Sequence, residues 1–278
     1  MAGASMNDIK ARIKSVNSTM QITKAMELVA ISKLRRAKER AEATRPYSLA
    51  LENGIRAVST PEALSAAGWE PNPDAPVLYV VIAGDRGLAG GYNMNVFRKM
   101  LSDAADGAVF LPVGKKAVDF IRHRSLKVLS QEFSQAAEMG VGRCFSLSDI
   151  ACESFKRGEI SAIKVVYTRF VSMISQIPVI EDILPFSVSE KDASADPIVD
   201  GDLAETLDKI IPQYLGGIIY SAVCQAIASE HGARRMAMNA ANKNATEMID
   251  SLMLGYNRAR QAVITQEITE IVSGAEAL

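Results

Sequence analysis

The sequence predicts an α/β domain with a Rossmann-like, mostly parallel sheet, inserted between two long terminal helices that form an antiparallel coiled coil. Three observations carry this. The hydrophobic period is helical at both ends of the chain and strand-like between them. Apolar residues in the terminal stretches step alternately by four and three, as a coiled-coil seam does. Because those stretches enclose the middle segment in sequence, they leave it near one place and can pair only as antiparallel partners.

From residue 5 to about 58 the chain reads as one helix, with no glycine before Gly54 and a single proline, Pro46, that should kink it. Ile9, Ile13, Val16 and Met20 trace the seam, and Ala30, Leu34, Ala37 and Ala41 resume it. Between them, at residues 21–24, the apolar pattern lapses and a slip of the seam is expected. Segment 59–76 reads as a linker. The α/β domain then spans 77–186, with strands at 77–83, 109–113, 126–130, 161–170 and 176–186 and helices near 93–104, 115–124 and 144–157. The last two strands lie too close for a crossover helix and should form an antiparallel hairpin.

A second linker, 187–201, is rich in Pro, Ala, Ser and Asp. The C-terminal coiled-coil helix, 202–278, opens on Asp202 and Glu205 at capping-box spacing. Ala245, Ile249, Leu252, Tyr256, Ala259 and Val263 continue the seam step, and Ile264, Ile268, Ile271 and Ala275 follow on an adjacent stripe. Helices of ~50 and ~70 residues measure roughly 80 and 105 Å. The longer one must overhang the shorter, leaving Ile264, Ile268, Ile271, Val272 and Leu278 for other chains to cover. Residues 210–229 carry no charge, yet Pro212, Gln213, Gly216, Gly217 and Gln225 make a poor membrane span. That stretch reads as a helix covered by protein on more than one side.

Composition narrows the functions. Lys plus Arg total 31 against 32 for Asp plus Glu, so no general field attracts nucleic acid or anionic lipid. Charge is uneven, because residues 1–57 hold 11 basic and 5 acidic side chains. Three scattered cysteines, Cys144, Cys152 and Cys224, form neither a disulfide framework nor a metal site. The first residues show neither a secretory h-region nor transit character, so cytosolic synthesis is expected.

No catalytic constellation is legible. His123 and His231 read as surface or packing residues, and Glu181 and Asp182, adjacent on a strand, point to opposite faces. The loop GDRGLAGG at 84–91 follows the first strand and precedes a helix, where Rossmann folds bind pyrophosphate, but its glycines miss both phosphate-binding spacings. It reads as a structural turn. Neither a catalytic residue nor a cofactor or metal ligand is assigned. Lys33, Arg35, Arg36, Lys38 and Arg40 form a basic face, either solvated or turned to an acidic or membrane-proximal partner.

The segment QITKAMELVA at 21–30, continued by Ser32-Lys33-Leu34-Arg35, resembles the γ subunits of F-type ATP synthases. So does YNRARQA at 256–262, followed by ITQEITEIVSGA at 264–275, and the glycine loop with Asn93 is similar to the family's third signature; Ala89 stands where many members carry Cys. The resemblance spans essentially the whole chain.

It implies a non-catalytic central-stalk rotor that couples ion-driven rotation of a c ring to the conformational cycle of catalytic β subunits. The implied partners are an α3β3 hexamer, ε and the c ring, with no nucleic acid. Membrane association is implied only through the complex, on the cytoplasmic face of a bacterial plasma membrane. No chloroplast-type dithiol insert is present. The resemblance maps α/β contacts onto Thr23, Lys24, Met26, Arg235, Gln261, Thr265, Ile268, Ile271 and Val272, and ε or c-ring contacts onto Arg35 and Arg36. Two other readings stay open from the residues: a nucleotide-binding α/β oxidoreductase that uses the glycine loop, and a static coiled-coil scaffold.

Overall fold

The structure is a computed structural model and describes residues 6–186 and 201–276. Its elements run α1 (Met6–Val58), α2 (Pro61–Ala66), β1 (Val77–Ile82), α3 (Tyr92–Leu101), β2 (Val109–Val113), α4 (Lys115–His123), a 3-10 turn (Ala136–Glu138), α5 (Val141–Lys156), β3 (Ala162–Phe170), β4 (Gln176–Leu184) and α6 (Leu203–Glu276). Most of segment 187–201, and Leu278, lie outside the described residues. The chain divides into two compact units, Ile31–Arg234 and Met1–Ala30 with Arg235–Leu278.

In the larger unit the sheet order is β2-β1-β3-β4, parallel except for the β3–β4 hairpin. Strand β1 reads VLYVVI because both its faces are covered. Leu78, Val80 and Ile82 pack with Leu147 and Phe155 of α5 and Leu207, Ile211 and Leu215 of α6. Tyr79 and Val81 pack on the other face with Val96, Phe97 and Met100 of α3 and Ile121 of α4. The glycine pair inside α6 has a packing cause. A Cβ on Gly216 would stand 2.8 Å from the Phe145 ring, and one on Gly217 would stand 2.9 Å from Leu51 Cδ1. Only glycine lets α5 and α1 come that close to α6.

The helix pair continues here, with Leu34 and Ala37 of α1 buried against Ala228 of α6. One helix among the described residues, α6, is long and apolar enough to cross a membrane, and 61% of that apolar window is buried inside the protein. Asp202 does cap it, Oδ1 accepting from the Ala204 N–H at 3.1 Å. Glu205 does not complete the capping box, because its carboxylate accepts from Lys209 instead.

Two expectations need correction. Residues 126–130 form one isolated bridge, not a strand: the Phe110 N–H donates to Lys127 O and the Leu129 N–H to Phe110 O, each at 2.9 Å. The next ladder donor on β2 would be Pro112, which has no N–H, so pairing stops there. The 59–76 linker holds α2, capped by Thr60 and opened by Pro61, and then the buried Trp69, stacked 6.0 Å from Phe155.

Candidate partner-binding surfaces

In the smaller unit the seam residues Ile9, Ile13, Val16 and Met20 of α1 and Ala245, Ile249, Leu252, Tyr256 and Ala259 of α6 are all half-buried, as the spacing predicts. The expected slip at 21–24 is absent. Thr23 and Glu27 fill the positions between Met20 and Ala30 in unbroken steps of three and four, and both bond to Asn242 across the seam. An apolar-only count reads polar core residues as a break.

Thr23 is therefore turned inward, while Lys24 is exposed and Met26 and Arg235 are half-buried. At the register that pairs Thr23 with Asn242, the described start of α1 stands opposite about Ala259. Every residue from Arg260 through Ala275 is exposed. Ile268 and Ile271 are 57% and 71% exposed, with Val272 and Ile264 beside them. Gln261 and Thr265 sit one turn apart, the Thr265 hydroxyl donating to the Gln261 carbonyl at 2.9 Å. Thr265 thus keeps its acceptor capacity, and Gln261 its whole amide, for an outside group.

In the larger unit the basic face of α1 divides. Arg35 pairs with Glu39 at 3.2 Å and Lys38 with Glu42 at 3.5 Å, both pairs solvated. Lys33, Arg36 and Arg40 instead line a cleft of about 400 Å3 with Glu138, Met139, Tyr220, Val223 and Ile227. Glu138 already accepts from Arg143 at 3.1 Å, so the cleft is electropositive. Sequence reasoning grouped Arg35 with Arg36; the structure separates them.

The glycine loop is built into the fold. Asp85 Oδ1 accepts from the N–H groups of Lys115 and Ala136, and Oδ2 from that of Ala137, at 2.8–3.1 Å. One carboxylate thereby caps both α4 and the 3-10 turn. The Gly84 N–H donates to Asn93 Oδ1 at 2.9 Å, and a Cβ on Gly84 would meet the Glu230 carboxylate at 2.8 Å. Arg234, paired with Glu230, also donates to the Gly87 carbonyl at 3.3 Å. The loop clasps α6. Sequence reasoning missed this pair, although two opposite charges four apart, directly after the uncharged stretch 210–229, were visible.

Burial pushes the Glu230 carboxyl up from its ordinary value, with Arg234 opposing. It pushes His231 down to about 4, helped by Arg234 and Lys33. The Cys144 and Cys152 thiols are driven to about 12 by burial, and all three cysteines are free and buried. Tyr167 donates to Glu181 at 2.8 Å, whereas Asp182 pairs with Lys164 at 3.3 Å on the other face of β4. Among the described residues no group of His, Cys, Asp and Glu could hold a metal ion.

A family model described as ATP synthase matches residues 5–278. The chain is 44% identical to the ATP synthase gamma chain of Ruminococcus albus, covering 98% of each chain. It is 39% identical to the sodium ion specific ATP synthase gamma chain of Acetobacterium woodii, again covering 98% of each. Among solved structures it is similar to a chain in the mitochondrial ATP synthase rotor of Euglena gracilis, with TM-score 0.67 and 20% identity over 93% of this chain and 98% of that one. A chain of the central stalk and c ring of the Tetrahymena thermophila enzyme gives TM-score 0.57 at 22% identity, over 79% of this chain and 99% of that one.

Proposed function

From the premise that the chain belongs to the ATP synthase γ-chain family, we propose that it is the rotor of an F-type ATP synthase, driven by an ion-powered c ring and cycling the catalytic β subunits. The observation that carries this reading is the exposed end of α6, an apolar stripe with hydrogen-bonding groups at its base. An apolar sleeve around Ile264, Ile268, Ile271 and Val272 has no angle-specific bonds to break on turning. Lys24, Arg235, Gln261 and Thr265, with Thr23 half-buried and the apolar Met26 beside them, supply features that can favour different β conformations at different angles. A featureless rod has no differential affinity and drives nothing.

On this reading the coiled-coil helices 1–58 and 202–278 form the shaft, and the 77–186 domain meets ε and the c ring. Arg35 and Arg36 face acidic groups there, Arg36 from its electropositive cleft. The subunit itself turns over no nucleotide, and the complex sits peripherally on the cytoplasmic face of a bacterial plasma membrane.

The test is to reconstitute the chain into the whole membrane complex, with its α, β and c-ring partners, and then crosslink the shaft to one β subunit. Turnover coupled to ion flow stops if the subunit must rotate and resumes when the crosslink is reduced. Undiminished coupled turnover in the crosslinked complex identifies a static scaffold.

A further inference from the structure

Helix α1 carries two candidate faces for α6 between residues 20 and 30. The face that is used presents Met20, Thr23, Glu27 and Ala30. A competing face left outside presents Ile22 and Val29, seven residues apart and 62% and 55% exposed. Burial of apolar area alone favours the second face, since covering Ile22 and Val29 withdraws more apolar surface from water than covering Thr23 and Glu27. The chain does the opposite.

What holds the polar face inward is a set of bonds that only that orientation can make. Thr23 Oγ1 donates to Asn242 Oδ1 at 2.5 Å, and Asn242 Nδ2 donates to Glu27 Oε2 at 2.8 Å. Asn239 Nδ2 lies 3.4 Å from Glu27 Oε1. Asn242 is the hub, its carbonyl serving Thr23 and its amide serving Glu27. Facing Ile22 and Val29, this amide would lose both of its partners in the seam. The neighbouring layers oppose a rotation only weakly, because Ala30 and Ala245 are small, and Met20 and the buried Met238 are flexible side chains that repack. A local change of winding such as one π-bulge would suffice to turn the face, since one extra residue advances a helix by about 100°.

We propose that Thr23, Glu27 and Asn242 form a polar selector that fixes which face of α1 meets α6, against a more apolar competing face. The selector keeps Lys24 and Met26 at one angle on the helix pair and leaves Ile22 and Val29 outward. Thr23 and Glu27 act through Asn242 and are positioning residues.

The experiment uses the full chain with spin labels on Lys24→Cys and Lys243→Cys, both exposed positions, and reads the inter-label distance by double electron–electron resonance. The three native cysteines are buried and do not compete for label. The unmodified pair gives one narrow distance, and Glu27→Gln, which can still accept from Asn242, preserves it. Asn242→Leu is expected to add or substitute a second distance longer by roughly 5 Å, half a helix diameter, as Lys24 is carried away from α6. Adding Ile22→Gln and Val29→Gln to Asn242→Leu removes the competing face and is expected to restore the original distance, though a merely stabilising layer predicts further broadening. An unchanged distance in Asn242→Leu, or no restoration in the triple variant, overturns the proposal. None of these outcomes depends on whether the subunit rotates.

Discussion

Glu230 and Arg234 close an ion pair of 2.5 Å inside α6 with each side chain only 10% exposed. Removing Arg234 leaves the Glu230 carboxylate facing Gly84 and Tyr92 with no hydrogen-bonded counterion, only the weaker pull of Lys33. Arg234→Met is therefore expected to destabilise the chain by about 3–5 kcal/mol, while Glu230→Leu with Arg234→Met recovers most of that loss. Urea unfolding of the two variants checks the order. A double variant no more stable than the single one contradicts the assignment.

His231 beside this pair makes folding acid-sensitive. Arg234 Nη1, a donor only, lies 3.2 Å from Nδ1, so that nitrogen is the acceptor and the ring is neutral with its proton on Nε2. The folded ring titrates at about 4 against an ordinary 6.5, so between those values the unfolded chain binds a proton that the folded chain does not. Stability is fully present above 6.5 and falls as pH drops toward 4, by about 1–2 kcal/mol once partial exposure of the ring is discounted. Glu230, held above its ordinary value, acts with opposite sign, losing stability as pH rises through its own window. Subtracting the pH profile of His231→Asn from that of the native chain isolates the histidine contribution. A difference that is flat from pH 4 to 7 rules it out.

Two glycines of α6 separate packing from propensity. Gly216→Ala drives a methyl into the Phe145 ring and is expected to cost about 1–3 kcal/mol. Gly255 has nothing within 4 Å of a built Cβ, so Gly255→Ala should stabilise by about 0.5–1 kcal/mol through lost backbone freedom in the unfolded chain. Thermal midpoints moving in opposite directions are the expected signature; equal shifts mean that helix propensity alone governs both sites.

Asp85 lets two helix starts share one acceptor group. Asp85→Ala strips three backbone N–H groups of their partner, which should cost about 2–4 kcal/mol, whereas Asp85→Asn keeps one acceptor oxygen and should cost about half as much. Hydrogen exchange at Lys115, Ala136 and Ala137 should accelerate together in Asp85→Ala. Acceleration at Lys115 alone would show that the carboxylate does not bridge.

What sequence exposed and what it hid follow from range. The long helices were legible because a period of 3.6 repeated over dozens of residues averages out local exceptions. The hairpin followed from a loop too short for a crossover, and β1 from an unbroken apolar run. Pro112 stopping the ladder at Phe110 depends on which strand lies beside β2, a fact that periodicity does not carry. Thr23 and Glu27 look like an interruption until Asn242, more than 200 residues away, is placed opposite them. At the candidate partner surfaces the apolar stripe of α6 was readable because its register against α1 runs out. The division between Arg35 and Arg36 was not readable, since it turns on Glu39 beside one and the α6 wall beside the other.

The end of α6 supports a prediction that separates folding from assembly. Ile264, Ile268 and Ile271 are all exposed and belong to no core cluster among the described residues, so replacing the three by Ser removes little burial from the isolated chain. Its unfolding midpoint should move by no more than a surface change does, within about 0.5 kcal/mol per site. In the assembled complex the same side chains lie inside an apolar sleeve on the rotor reading, and each loses on the order of 2 kcal/mol of burial there. Co-purification with α- and β-type chains should therefore drop sharply while the isolated subunit stays as stable as before. Gln261→Ala with Thr265→Val removes hydrogen-bonding groups without touching the stripe, so assembly should survive and coupled turnover should fall. Normal co-purification of the triple Ser variant would mean that the stripe is not the part of α6 its partners enclose.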